Sequence, residues 1–527
     1  MPIAKSRSAR RGGALMIALV LVGLGVLGIP ACNNGGAPAP GTPAGTSAAS
    51  DGGAANAPVG EEKFDPIKEN GPIFEDWIKP ELTLVFTGDQ HGYFEPCGCA
   101  GPGRQKGGMS RRHTFLRQLV ADGWNPVPID LGGLSRSTGE QAEIKLRTSF
   151  DALKKMDYRA IGLAGDDLRF PPEDLISATV NDEGALAPFV SANVVVLGME
   201  SRFLVLETAG AKLGITSVVA GKQRDELVES IDPGTTIEEP AEALKQVVPQ
   251  LKEAGCDFMI LLCFASPEES QALAQQFPEF NFVVTSGGPD EPPLELATVT
   301  GGTAKLVQLG HKGMYAVAIG LYGKGKSRYQ RVPLDSRFAD SPEMHEFMVS
   351  YQDQLKTLGW EGLDVSGVLH ERAKGADDAN AQFVGAEACG KCHSQAYSVW
   401  KGSKHSHATE TLTKLDPPRQ FDPECIACHA TGWDSEHYVP YLGGFDSIAA
   451  TSHLAGNSCE NCHGPGSGHV AAEAAREPKV REEMRSLMRL NLAIAEQKTC
   501  RGCHDLDNSP TFDFKTYWDK IKHAGKN

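Results

Sequence analysis

Short apolar runs alternate with amphipathic stretches from residue 80 to residue 340. LTLVF (82–86), NPVPIDL (125–131), DYRAIGLA (157–164), FMILLCF (258–264) and NFVVTS (281–286) have the length and apolar density of buried strands. RRHTFLRQLVADG (111–123), EIKLRTSFDALKKMD (143–157) and PAEALKQVVPQLKEAG (240–255) place their apolar residues three and four apart, as helices with one buried face do. Strand and helix in alternation predict an α/β domain around a buried, partly parallel sheet. A further helical stretch, SPEMHEFMVSYQDQLKTLG (341–359), leads into a polar connector that ends near residue 381 and carries His370, read as exposed. Beyond it the pattern changes. Residues 382–527 have short segments rich in Gly, Ser and Asp, with too few apolar side chains for a conventional core.

The N-terminus has a third pattern. Lys5, Arg7, Arg10 and Arg11 precede an apolar run from Ala14 to Ala31, and Cys32 follows. This is an export signal over residues 1–31. Ile29-Pro30-Ala31-Cys32 is similar to the site at which a cysteine is lipidated, and the alternative is an uncleaved signal anchor. Residues 32–62 lack apolar bulk and read as a flexible tether. Both alternatives place the rest of the chain outside the cytoplasm, tethered to a membrane.

Charge and cysteine placement narrow the chemistry. A formal net charge of −16 argues against a nucleic-acid partner. Of 13 cysteines, eight lie between Cys389 and Cys503, in pairs. Each pair is a Cys-x-x-Cys followed at once by histidine: Cys389-Cys392-His393, Cys425-Cys428-His429, Cys459-Cys462-His463 and Cys500-Cys503-His504. Two thiols at this spacing bond the two vinyl groups of one haem, and the next residue becomes the proximal iron ligand. Zinc also takes paired Cys-x-x-Cys motifs, but it does not require a histidine after each one. Four such motifs behind an export signal therefore read as four c-type haems, and the porphyrins are expected to supply the missing core. His405, His407, His437, His453, His469 and His523 remain as candidates for the far sides of the irons.

Residues 383–523 resemble the tetrahaem cytochrome c family of ammonia-oxidising bacteria, the electron acceptor of hydroxylamine oxidoreductase. The resemblance is carried by FVGAEACGKCHSQAYSVWKGSKHSHA, CIACHATGW, GNSCENCHGPGSGH and CRGCHDLDNS with FDFKTYWDKIKH. It implies that His405 caps the third haem, that His469 reaches back past Gly464-Pro465-Gly466 to cap the first, and that His523 caps the fourth. It also implies a second haem, above His429, with no protein ligand on its far side, unless His407, His437 or His453 closes that face.

The earlier domain resembles the 5′-nucleotidase branch of the metallophosphatases. TGDQHGYFEP, GGMSRRHTFL, IDLGG, YRAIGLAGDDL, LLCFAS and VVTSGG carry that resemblance. It implies two metal ions on Asp and His side chains at strand ends. Asp89 and His91 keep the first Asp-x-His, but the bridging aspartate falls on Gly133 and the Asn-His pair becomes Gly165-Asp166. The next histidine is Phe264, and the closing Gly-His-x-His reads Ser286-Gly287-Gly288-Pro289. Asp130, Asp166 and Asp167 would replace some of these donors with carboxylates. Cys97 and Cys99 follow Asp89 and His91 closely, as donors for a soft metal, as a redox pair or as a disulfide.

The expected molecule is an α/β metallophosphatase-like domain with mixed sheets and flanking helices (80–340), a helix and connector (341–381), and a mainly α and irregular multihaem cytochrome c domain (382–527). The expected function is one-electron relay between redox partner proteins, with a non-catalytic phosphatase-like domain for docking. The alternatives are a redox enzyme acting on a small nitrogen compound at an open second haem, and a phosphoesterase with an altered metal site.

Overall fold

The computed structural model describes residues 64–95, 104–179, 188–323, 325–505, 509 and 512–523. The signal segment, the tether, Cys32, Cys97 and Cys99 lie outside the described residues. Among the described residues no helix is long and apolar enough to cross a membrane.

Two six-stranded mixed sheets organise the α/β domain. In the first, Leu82–Thr87, Pro126–Asp130, Ala160–Gly162 and Phe189–Val190 run parallel. Tyr315–Leu321 and Ser327–Pro333 add two antiparallel strands beside Leu82–Thr87. In the second, Ala211–Val219, Phe258–Phe264, Phe282–Thr285 and Lys305–Gln308 are parallel, with Leu204–Thr208 and Ala297–Thr298 antiparallel at the edges. Leu82–Thr87 is buried along its whole length, as a central strand covered on both faces must be. The helices Met109–Ala121, Glu140–Lys155 and Pro240–Glu253 form where the three-four spacing placed them. YAVAIGL (315–321) and AKLGITSVV (211–219) were not expected as strands, and they account for the second sheet and for the antiparallel edge of the first.

The helix Pro342–Gly362 belongs to this domain by packing. Its Met344, Met348, Tyr351 and Leu355 enter the same core as Leu84 and Phe86 of the central strand. Its N-cap, Ser341, accepts from Met344 N–H and fixes where the helix starts.

The C-terminal domain is a succession of short helices and turns. Its buried apolar cluster is small: Phe383, Leu412, Ile426, Ala427, Ala430, Trp433, Phe445 and Leu454. His370, expected to be exposed, is half-buried, because its ring packs edge-on to Tyr441 at 4.8 Å and to Phe383 at 6.0 Å.

Contacts between the two parts run through the helix Pro423–His429, which carries the second Cys-x-x-Cys-His. Asp422 caps it, accepting from Glu424 N–H at 3.0 Å. The same carboxylate also accepts from Gln141 Nε2 at 2.9 Å, Gln352 Nε2 at 3.1 Å and Tyr351 Oη at 3.4 Å. Beside it, Lys145 Nζ lies 2.6 Å from Glu424 with its side chain 12% exposed, and Arg419 pairs with Glu95. The α/β domain therefore holds the start of the second motif's helix.

Replacing Asp422 with Ala removes a helix cap and strands three buried donors. We expect it to cost about 2–4 kcal/mol, measured as lowered thermal stability of the whole chain, with Asp422→Asn recovering part of the loss.

Candidate functional site

Each Cys-x-x-Cys-His lies on or beside a short helical turn, which brings the histidine beneath the two thiols. The third motif is the helix Cys459–His463, started by Ser458 in a reciprocal cap with Asn461. The second is the C-terminal half of Pro423–His429. In the fourth motif His504 N–H donates to Cys500 O, and in the first His393 N–H donates to Cys389 O.

Hydrogen bonds fix which ring nitrogen is free. His429 Nδ1 lies 2.8 Å from Ala408 O and His463 Nδ1 2.6 Å from Met488 O. A carbonyl only accepts, so Nδ1 carries the proton and Nε2 keeps its lone pair for a metal. His523 Nδ1 is held in the same way by Ile521 O at 3.0 Å, and His504 Nδ1 meets Ser509 Oγ at 3.1 Å. Burial pushes His405 down to about 4 and sets His463, His469 and His504 below the ordinary histidine range. The rings stay neutral, which is the ligating form.

Three pairs of imidazoles face each other. His393 and His469 have ring centroids 6.2 Å apart, His405 and His504 6.0 Å, and His463 and His523 5.8 Å. One metal ion bonded to a nitrogen of each ring at about 2 Å fits such a gap. His469 Nδ1 is buried and has no hydrogen-bond partner. The residues thus fit c-type haem, with thiols for attachment and, at three motifs, an imidazole on each side.

His469 stands opposite His393, the partner that the resemblance implied. The other two pairings are corrected: His405 faces His504 rather than His463, and His523 faces His463 rather than His504. The reason lies in how the motifs meet. Cys389 lies beside Cys459 and Cys428 beside Cys503, while Cys462 is near Cys500 and Cys503. In space the order is therefore first, third, fourth, second. Trp400 Nε1 donates to Asn457 O at 2.9 Å, Asn457 N–H to His405 O at 3.0 Å, and Asn457 Nδ2 to Cys428 O at 3.2 Å. These bonds pin the His405 turn beside the second motif, whose neighbour is the fourth.

Among the described residues no ring contact joins His429 to another histidine. His407 and His437 are exposed and pair with Glu410 and Asp434, each at 3.0 Å, and His453 is exposed.

Glu460 was not singled out from the sequence. It lies between the two cysteines of the third motif, where nothing in the pattern marks it. Its carboxylate, 2% exposed, accepts from Val384 N–H, Gly385 N–H and Gly466 N–H at 3.0, 2.7 and 2.8 Å. It ties the approach to the first motif to the Gly464-Pro465-Gly466 turn, and so aims the helix Ser467–Ala475 that carries His469.

At the α/β domain's strand ends the donors are otherwise engaged. Asp167 accepts N–H groups of Gly133, Leu134 and Ser135 at 2.9, 2.9 and 2.7 Å, and Asp166 pairs with Arg169 at 2.8 Å. Asp130 accepts from Thr87 Oγ1 at 2.6 Å and faces the buried Arg112 guanidinium at 3.7 Å. Burial pushes Asp89 and Asp167 up to about 7. A Cβ on Gly165 would come within 2.7 Å of the Phe264 ring, and one on Gly133 within 3.0 Å of it and 2.9 Å of Asp89 Oδ1. The ring of Phe264 therefore fills the space these strand ends enclose, and it fits there because both facing positions are glycine. His91 Nε2 stands 3.9 Å from Asp89 Oδ1. His311 stacks 6.4 Å from His91, but its Nε2 is bonded to Asp290 at 2.6 Å. Among the described residues no three His, Cys, Asp or Glu side chains are grouped to hold a metal ion. Asp89 and His91 offer two donors, and the residues here do not fit a two-metal centre.

Known proteins of two kinds are similar to this chain. Residues 388–464 match the family of cytochrome c554 and c-prime. Cytochrome c-554 of Nitrosomonas europaea is 26% identical over 151 residues, which cover 25% of this chain and 62% of that relative. The cytochrome c554-type segment thus includes the first three motifs. Similar solved structures include a 5′-nucleotidase precursor from Thermus thermophilus, with TM-score 0.44 and 19% identity over 53% of this chain and 59% of that one. The NAD nucleotidase of Haemophilus influenzae has TM-score 0.45 and 15% identity over 71% of this chain and 74% of its own.

The ring pairs predict which site responds to each substitution. In holoprotein, His405→Ala is expected to convert the iron at His504 to high spin, and His523→Ala the iron at His463. Each change affects about one quarter of the iron, read by electron paramagnetic resonance in combination with single-motif knockouts.

Proposed function

We propose that this chain is a membrane-tethered electron relay working outside the cytoplasm, with four c-type haems on its four Cys-x-x-Cys-His motifs. The observation that carries the reading is the set of three opposed imidazole pairs beside those motifs. Bound there, haem supplies reversible one-electron storage at iron. The chain's residues do the rest. Imidazoles locked through Nδ1 keep their position and tautomer in both oxidation states. Adjacent motifs set the sites in a row from the first motif to the second. Glu460 joins the first and third sites into one unit, and Asp422 with Lys145 seats the second on the α/β domain. That domain acts as a support without phosphoesterase activity, because Phe264 and Arg112 occupy the region where catalytic metals would need ligands. The export signal and Cys32 provide the tether, and the redox partners are other proteins.

A second reading is favoured at one place. With no imidazole opposite His429 among the described residues, the second site suits binding of a small nitrogen compound as well as relay.

Pyridine haemochrome and metal analysis of the holoprotein should return four c-type haems and no other stoichiometric transition metal. Reduced protein is expected to bind one carbon monoxide per chain. Fewer haems remove the relay, and absence of any carbon monoxide complex restricts the second site to relay alone.

A further inference from the structure

The spatial order of the motifs gives the haem row two unlike ends. The second motif is seated on the α/β domain, through Asp422, Glu424 and Arg419. The first motif is at the other end, and it is open: Lys391, Cys392, His393, Ser394 and Gln395 are all exposed. A protein partner can reach the row at that end without displacing a domain.

The charge at that end is opposite to the charge of the molecule. The chain has 67 acidic and 51 basic residues, yet from Glu387 to His407 three lysines, Lys391, Lys401 and Lys404, stand against one carboxylate, Glu387. All three lysines are exposed, and none has a carboxylate within 4 Å among the described residues. Lys222, Lys245 and Lys252, by contrast, are paired with Glu226, Glu242 and Glu279. Between the lysines lie Tyr397 and Trp400, half-buried and 5.4 Å apart, with Lys401 Nζ 5.9 Å from the Trp400 ring. Trp400 is fixed from below by its bond to Asn457 O. An aromatic centre with a charged rim has the composition of a protein-docking patch.

We propose that the face formed by Lys391, Tyr397, Trp400, Lys401 and Lys404 is the docking site for an acidic redox protein, which exchanges electrons at the first haem. The inference rests on the relay reading and adds to it the point of exchange and the charge of the partner. A cationic patch on an anionic molecule also orients the encounter. The net charge of −16 repels an acidic partner at long range, so productive collisions favour the first site.

The test uses dithionite-reduced holoprotein, freed of reductant, and two small oxidants of opposite charge. Ferricyanide and tris(phenanthroline)cobalt(III) each take one electron per reduced iron, giving ferrocyanide and the cobalt(II) complex. At ionic strength near 0.1 M the screening length is about 10 Å, so each oxidant senses local rather than total charge. Lys391→Glu, Lys401→Glu and Lys404→Glu together should slow ferricyanide about tenfold or more and leave the cobalt complex unslowed or faster. The same charge change at Lys222, Lys245 and Lys252 should leave both rates within about twofold. As a readout apart from electron transfer, the unaltered holoprotein should be retained by a sulfonate cation exchanger at pH 7 despite its net charge. The first triple variant should flow through, and the second should be retained. An unchanged ferricyanide rate, an equal slowing of both oxidants, or equal effects of the two triple variants would overturn the docking face. Holoprotein that neither oxidant can oxidise would instead overturn the relay on which it rests.

Discussion

Opposed imidazoles are the constraint from which the C-terminal domain takes its form. A short chain with eight buried apolar residues in its one cluster cannot order four motifs by hydrophobic packing alone. Its rings are placed instead by hydrogen bonds to carbonyls, by a buried carboxylate and by pinned turns. Nδ1 of His429, His463 and His523 each spend their proton on a backbone oxygen, which leaves one nitrogen per ring to face a metal. A histidine oriented in this way cannot drift between protonation states or rotamers as its metal changes oxidation state.

The two domains share a logic of buried polar staples. Glu460 gathers three N–H groups from two segments, and Asp167 gathers three from one loop. In each case one carboxylate stands in for backbone pairing that irregular chain cannot provide. The outcomes differ. Glu460 aims a histidine at its partner, whereas Asp167 is withdrawn from any metal. With Phe264 in the space between Gly133 and Gly165, and Arg112 against Asp130, the strand ends form a closed internal surface. The α/β domain contacts the cytochrome part through the capped helix of the second motif.

This arrangement gives the haem row a direction. One end is seated on a domain by Lys145, Gln141 and Asp422. The other carries lysines and aromatic rings on its surface. Charge on the molecule as a whole is negative, and charge at the open end is positive.

Much of this was legible in the chain. The strands with dense apolar runs, the helices with three-four spacing and the four Cys-x-x-Cys-His motifs depend on local covalent and steric rules, which sequence carries directly. The export signal, the tether and Cys97 and Cys99 remain expectations of sequence, because they lie outside the described residues. Strands 211–219 and 315–321 escaped notice because their role comes from sheet neighbours far away in sequence. His405, His469 and His523 were picked out as a set and each faces another histidine, but two of the three ring partners were not legible. Spacing along the chain says nothing about the order first, third, fourth, second, which arises only when separate motifs come together in the fold. The same holds for Glu460, Asp422 and Phe264. Their residue types and positions were visible, but their roles come from long-range backbone contacts, domain contacts and the shape of an enclosed space, all of which exist only once the chain has folded.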